Sequence, residues 1–178
     1  INPGAPLNSE VNEFYPSVAK NGTVYFTAER ANGIGREDIF RSRIIENAFQ
    51  APEPLSAAIN TEGYEFNAFI AYDESYIIYT GYGRANDLGG GDLYISKRDP
   101  ASGKWLPSEH LPQPINSDKL DYCPFINEND GNLYFTSKRV KDTDTYINNL
   151  DIESFRMITQ QYSNGNNRIF WINLDKVW

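Results

Sequence analysis

Short apolar segments alternate with turn residues along the whole chain. Three of these segments share one form, two or three large apolar residues followed by threonine, at residues 24–27, 77–80 and 133–136. Each one follows a turn rich in Asn, Asp, Gly or Ser, and short apolar runs between such turns are typical of β-strands. The pattern therefore predicts an all-β fold.

The predicted strands belong to a repeat of about 50 residues. An aliphatic residue, Asn and a hydroxyl residue recur at 7–9, 59–61 and 115–117, and the asparagines are 52 and 56 residues apart. Five residues after each Asn an acid is followed by an aromatic residue. Four short strands with this period are typical of a β-propeller blade. A β-sandwich would give no reason for the recurrence, so we expect blades at about 7–58, 59–114 and 115–178.

The third repeat departs from the other two. After Arg139 an extra stretch runs to about Asn164, and its apolar residues fall on one helical stripe. We expect a short helix near 145–162. The chain offers no fourth strand for this repeat, so three four-stranded blades are expected, the last one incomplete.

The repeat resembles the TolB-like, WD-repeat-like β-propeller repeats of bacterial envelope proteins. The resemblance rests on the acid-aromatic-x-Pro segments at 13–16 and 121–124, the turn at 21–22, and the strand residues 25–27 and 92–94. Residues 165–172 are also similar to the ends of small secreted or lipoprotein propellers. The resemblance implies the C-terminal half of a six-bladed propeller that is periplasmic, outer-membrane-associated or secreted.

Half of a propeller would leave two blade faces bare. Burying about 600 Å² of apolar surface is worth roughly 15 kcal/mol per face, which is comparable to the whole stability of a domain, about 5–15 kcal/mol. We therefore expect the chain to be completed by a missing N-terminal half or by a second copy.

Charge and composition exclude several kinds of partner. The net charge of −8 is unsuited to a phosphate backbone, so nucleic acid is not an expected partner. No apolar run is long enough to span a bilayer. A single Cys and a single His allow neither a disulfide framework nor a multi-histidine metal site.

The repeated acids are the first candidates for a ligand site. Glu13, Glu65 and Asp121 are expected at the start of each innermost strand. A ring of carboxylates facing a central channel would bind a cation, with calcium as the one cofactor considered, or would act on a sugar. The structural interpretation is that each acid caps a turn, and recurrence in every repeat favours it because catalysis needs only one site.

The repeated arginines form a second candidate set. Arg30, Arg84 and Arg139 follow the second strand of each repeat, and Asp38 and Asp92 begin the third strand of the first two. We expect an arginine–carboxylate fork across this hairpin. An anion-binding ring of arginines is the functional alternative.

Residues that break the repeat are better candidates for specificity. Tyr82, Tyr146 and Arg36 are of this kind, together with the insertion after Arg139. Cys123 falls in an apolar strand and is predicted to be a packed thiol, and His110 is predicted to lie on the rim without a partner. No catalytic or metal-ligating residue is predicted.

These features favour a binding or scaffolding propeller outside the cytoplasm. It would recognise a protein, a peptide or a glycan through its loop face and central funnel. The alternative is a carbohydrate-active enzyme, a hydrolase or lyase, that uses the carboxylates of the funnel.

Overall fold

The chain folds into four antiparallel sheets. The computed structural model describes residues 1–140 and 151–176. The first sheet has the order β1 (Glu13–Val18), β2 (Val24–Ala28), β3 (Asp38–Ser42) and β6 (Glu53–Pro54). The second has the order β7 (Tyr64–Ile70), β8 (Tyr76–Tyr82), β9 (Asp92–Lys97) and β10 (Glu109–His110). The third has β11 (Asp121–Asn127), β12 (Asn132–Ser137) and β13 (Arg168–Asn173), and a small hairpin joins β4 (Ile44–Ile45) to β5 (Ala48–Phe49). The expected all-β class is confirmed.

Helical structure is confined to the end of the chain. Helix α1 (Ile152–Gln160) lies within the segment predicted to be helical, and its N-cap Asp151 accepts a hydrogen bond from the Ser154 N–H at 2.7 Å. Residues 141–150, the first part of the predicted insertion, lie outside the described residues. A short 3-10 helix follows β13 at Leu174–Lys176. Neither helix within 1–140 and 151–176 has the length and apolar character needed to cross a membrane.

Two apolar cores lie between successive sheets. The first joins Tyr25 and Ile39 of the first sheet to Ile77 and Tyr79 of the second. The second core joins the opposite face of the second sheet to the third sheet, and it includes Leu93, Ile78, Leu133 and Phe135. The second sheet is therefore apolar on both faces, which explains why its strand β8 contains the continuous apolar run 76–79.

A repeated asparagine side chain bonds each of the last two sheets to the sheet before it. The Asn60 side-chain oxygen accepts from the Ile39 N–H, and its amide donates to the Ile39 carbonyl, both at 3.0 Å. Asn116 makes the same pair of bonds with Leu93 at 2.7 and 2.9 Å. We call this arrangement the asparagine clamp. It pairs the backbone of the third strand as another strand would.

The loop between the second and third strands also touches the next sheet closely. A Cβ at Gly35 would lie 2.2 Å from the Thr61 carbonyl oxygen, and a Cβ at Gly89 would lie 2.4 Å from the Asp118 carbonyl carbon. Only glycine permits such an approach. The Glu65 N–H then donates to the Glu37 carbonyl at 2.7 Å, so the loop of one sheet is fixed to the entry of the next.

The clamp predicts an unequal cost for two asparagine substitutions. Asn60→Ala leaves the buried Ile39 N–H without its partner and removes one of the two hydrogen bonds to the Ile39 carbonyl, which still accepts from the Leu55 N–H. We therefore expect the free energy of unfolding to fall by about 1–3 kcal/mol. Asn129→Ala, at an exposed turn, should change it by less than about 0.5 kcal/mol. Urea unfolding followed by circular dichroism measures both values. Equal free energies of unfolding for the two variants would show that the asparagine clamp does not stabilise the fold.

Candidate functional site

The three predicted acids occupy the same environment. Glu13, Glu65 and Asp121 are the first residues of β1, β7 and β11. Each carboxylate accepts from the backbone N–H and the hydroxyl of the residue four positions earlier, which for Glu65 is Thr61 at 2.7 and 2.6 Å. The donors in the three repeats are Ser9, Thr61 and Ser117. Glu65 and Asp121 are fully buried. The geometry is that of a turn cap, as the structural interpretation predicts.

Each predicted arginine pairs with the acid of its own repeat. The nitrogen–oxygen distances are 2.7 Å for Arg30–Glu13, 2.9 Å for Arg84–Glu65 and 2.8 Å for Arg139–Asp121. The same guanidinium nitrogen donates to the backbone carbonyl of the residue before the repeated Asn. These carbonyls belong to Leu7, Ile59 and Ile115, at 2.8, 2.5 and 2.6 Å. We call this unit the arginine–acid bridge, and it engages both charges of every pair.

The predicted forks between the arginines and Asp38 or Asp92 are wrong. Asp38 accepts instead from two backbone N–H groups of its own loop at 2.5 and 3.1 Å. Asp92 accepts from the Leu88 N–H at 2.6 Å. Both aspartates therefore stabilise the loops, and the arginines bind the acids that begin β1, β7 and β11.

His110 has partners that the sequence did not indicate. Its Nε2 lies 2.8 Å from the Asp92 carboxylate, and its ring packs edge-on against Tyr94 at a centroid distance of 5.1 Å. The equivalent position of the first sheet holds Pro54, opposite Phe40. His110 is partly exposed at the outer edge of the second sheet, and its partner Asp92 is fully buried.

A second repeated feature is a bulge with left-handed backbone. Tyr15, Asn67 and Cys123 have φ angles of 53°, 53° and 54°, and each lies at a register shift between the first two strands of its sheet. The three side chains meet, since Asn67 Nδ2 donates to Cys123 Sγ at 3.0 Å and the Tyr15 hydroxyl donates to the Pro124 carbonyl at 3.2 Å. Burial raises the pKa of the Cys123 thiol despite hydrogen bonds from Asn67 and Tyr15 that lower it. The thiol is thus protonated near neutral pH, as expected of a packed cysteine.

The first strands of the three sheets line a groove of about 510 Å³, which we call the inner groove. Its walls include the exposed apolar side chains of Val18, Tyr72 and Phe125. Glu128 supplies an acidic group, and its carboxylate accepts from the Tyr72 N–H at 2.9 Å. The inner groove is apolar with one acid at its edge.

A second cleft lies at the loop end of the first sheet, and we call it the loop-end cleft. Its volume is about 670 Å³, and Glu10, Glu29, Glu37 and Phe14 are among its lining residues. Burial raises the pKa of Glu37, and the charge of Glu29 raises it further. A cation bound beside Glu37 would favour its charged form and so lower this pKa.

Two predicted residues, Tyr82 and Arg36, each contact the ring of Tyr64. Tyr82 is 45% exposed, and its ring lies 5.8 Å from that of Tyr64 across the β7–β8 pair. The Arg36 guanidinium lies 5.8 Å from the Tyr64 ring. Tyr64 was not singled out in the sequence, although its pairing with Tyr82 follows from the strand register. Tyr146 lies outside the described residues.

The described part of the chain contains no group of three or more His, Cys, Asp or Glu side chains arranged to hold a metal ion. No protein-family model matches the chain, and no curated protein matches it. The candidate site is therefore described from the positions and contacts of its own residues.

The arginine–acid bridge predicts a large loss of stability when one partner is removed. Arg84→Met leaves Glu65 fully buried without its counter-charge, so we expect the free energy of unfolding to fall by about 3–5 kcal/mol. Arg43→Met is the matched control, because Arg43 pairs with Glu53 at an exposed position and should cost less than about 1 kcal/mol. Chemical denaturation measures both. A similar small change for both variants would contradict a structural role of the bridge.

The lowered pKa of Glu13 predicts that the protein loses stability as the pH falls into the acid range. Burial raises this pKa, but hydrogen bonds from Ser9 and the contact with Arg30 together lower it below its usual value of 4.5. A carboxyl whose pKa is lowered by folding stabilises the protein above its unfolded pKa, and this contribution is lost as the pH falls through the folded value. Glu13→Gln should therefore be less stable than wild type at pH 7, and the difference should shrink below about pH 4.

Unfolding curves between pH 3 and pH 8 measure this difference. Ser9→Ala removes one of the hydrogen bonds that lower the Glu13 pKa. As the pH is lowered, this variant should therefore begin to lose stability at a higher pH than wild type. A gap between wild type and Glu13→Gln that stays constant down to pH 3 would refute the assignment.

Proposed function

We propose that this chain is a non-enzymatic binding module of the β-propeller type that acts outside the cytoplasm. It engages a protein, peptide or glycan at the loop end of its first two sheets. The first three strands of each sheet follow the same order, and the arginine–acid bridge recurs in all three sheets. Both features support the propeller and its TolB-like resemblance. The extracytoplasmic location rests on the same resemblance.

The observation that carries this proposal is the aromatic pair Tyr64–Tyr82 with Arg36 on a rigid frame. Tyrosines present a large apolar face with a polar end, so they suit stacking on sugar rings and contact with peptide side chains. The Arg36 N–H donates to the Gly63 carbonyl at 3.1 Å, which fixes the loop against the strand that carries Tyr64. A site whose backbone is already held loses little entropy when it binds.

The carboxylates of the loop-end cleft allow a peptide ligand to be distinguished from a glycan ligand. Its carboxylates Glu10, Glu29 and Glu37 suit a basic peptide, whose binding would weaken as salt screens the charges. A neutral glycan would use the tyrosine pair alone, and its binding would be nearly independent of salt. The salt dependence of binding therefore identifies the class.

No observation favours the carbohydrate-active alternative over binding. Glu65 and Asp121 are fully buried, and the arginine–acid bridge engages each of them. A general acid or a nucleophile has to reach the glycosidic bond.

Loss of the aromatic pair should abolish most of the binding. Tyr82→Ala is expected to weaken binding by about tenfold or more, because stacked aromatic residues are frequent hot spots. Arrays of immobilised oligosaccharides and of basic and acidic peptides, probed with the labelled chain at low and high salt, measure the effect.

Tyr162→Ala is the matched control. Tyr162 is also an exposed tyrosine, but it lies after α1 and not in the first two sheets, so its removal should leave binding unchanged. Equal loss in both variants, or turnover of a polysaccharide by the purified chain, would contradict the proposal.

A further inference from the structure

A pocket lies where the outer strands of the first sheet meet the second sheet, and we call it the outer pocket. Its volume is about 520 Å³. The first sheet contributes Arg41 of β3 and Pro54 of β6, and the connection from β9 to β10 contributes Lys104 and Trp105. The buried Leu55 also lines it. The outer pocket is therefore built entirely between two sheets of this chain.

The polar character of the outer pocket departs from the repeat. Arg41 pairs with Tyr25 in the first sheet, and the register makes Ile95 and Ile78 the equivalent pair of the second sheet. Both isoleucines are buried in the core between the second and third sheets. The interface that contains the pocket thus carries a guanidinium and a phenol where the next interface is closed by two aliphatic residues.

The outer pocket carries positive charge in a protein whose net charge is −8. In the described part of the chain its lining includes Arg41 and Lys104 but neither Asp nor Glu. The half-exposed Glu53 lies 3.3 Å from the Arg41 guanidinium and 3.0 Å from that of Arg43. One carboxylate is thus shared between two guanidinium groups, so an excess of positive charge remains that favours an anion.

Trp105 gives the outer pocket an apolar wall that is fixed from behind. The Arg98 guanidinium lies 4.5 Å from the centre of the Trp105 ring. It donates to the Tyr25 hydroxyl at 3.1 Å and lies 3.6 Å from the Glu74 carboxylate. Burial and Glu74 raise the pKa of Tyr25 to about 12, although the charges of Arg98 and Arg41 lower it. The phenol therefore stays neutral at pH 7 and adds no negative charge beside the pocket.

We propose that the outer pocket binds a small organic anion. Its acidic group lies between Arg41 and Lys104, and its aromatic or aliphatic body packs on Trp105 and Leu55. A guanidinium forms paired hydrogen bonds with a carboxylate or a phosphate, and the ammonium group adds a second positive charge. An indole that Arg98 already holds loses little entropy when a ligand packs on it. The lining residues all differ from those of the loop-end cleft, so this site does not depend on the proposed function.

Titration calorimetry with small probes tests the charge and the shape of the ligand. Phenylacetate or phenyl phosphate should bind at least about tenfold more tightly than the uncharged phenylacetamide. The tighter of the two identifies the acidic group as a carboxylate or a phosphate. Acetate and inorganic phosphate lack the ring, so each should bind at least about tenfold more weakly than its phenyl counterpart.

Two charge changes test the location of the site. Arg41→Met and Lys104→Glu should each weaken binding of the tighter anion by about tenfold or more. Arg168→Met and Lys138→Glu make the same charge changes at exposed positions of the third repeat, and they should change the affinity by less than about twofold. Circular dichroism verifies folding, and because Lys104 lies in an exposed loop, Lys104→Glu tests the site even if Arg41→Met does not fold.

Several outcomes would overturn the proposal. They are the absence of binding of both phenyl anions at millimolar concentration, equal binding of phenylacetamide, and an affinity that Lys104→Glu leaves unchanged. Ringless anions that bind as tightly as the phenyl compounds would overturn the assignment of an organic anion. Tyr82→Ala should bind the anion as wild type does, which separates this site from recognition at the loop end.

Discussion

The asparagine clamp is the contact on which the rest of the structure depends. The Ile39 and Leu93 backbones are buried between sheets, where water cannot satisfy them, and the side chains of Asn60 and Asn116 supply both a donor and an acceptor. A buried backbone group without a partner costs about 1–3 kcal/mol. The clamp therefore fixes which residue of one sheet faces which residue of the next, and apolar packing alone would not specify this register.

The arginine–acid bridge and the clamp act as one unit. The Arg84 guanidinium binds both Glu65 and the carbonyl of Ile59, the residue directly before Asn60. The Arg84–Glu65 pair thereby fixes the position of the backbone next to Asn60. Since the same unit recurs with Arg139 and Asp121, the repeated charges are engaged in assembling the sheets. Chemistry that varies between repeats has to come from other positions.

The repeat was sufficient to predict the main strands, and an apolar stripe outside the repeat predicted the helix, but neither pattern indicated the partners of the charged residues. Ala28 pairs with Glu13 on one side and with Asp38 on the other. Two carboxylates therefore flank the end of β2, and spacing alone does not show which one Arg30 meets. The loop amides that occupy Asp38 decide the choice, and they depend on backbone geometry. The left-handed bulge at Tyr15, Asn67 and Cys123 has no sequence signature, because three different residue types adopt it.

At the loop end, equivalent backbone positions of the three sheets hold different side chains. The positions just outside each arginine–acid bridge are equivalent by register in all three sheets. They hold Asn12 and Glu29 in the first repeat, Tyr64 and Tyr82 in the second, and Leu120 and Lys138 in the third. The surface thus changes from acidic to aromatic to basic over identical backbone. Since the arginine–acid bridge recurs beneath these positions in each sheet, their variation supports the proposal that recognition takes place at the loop end.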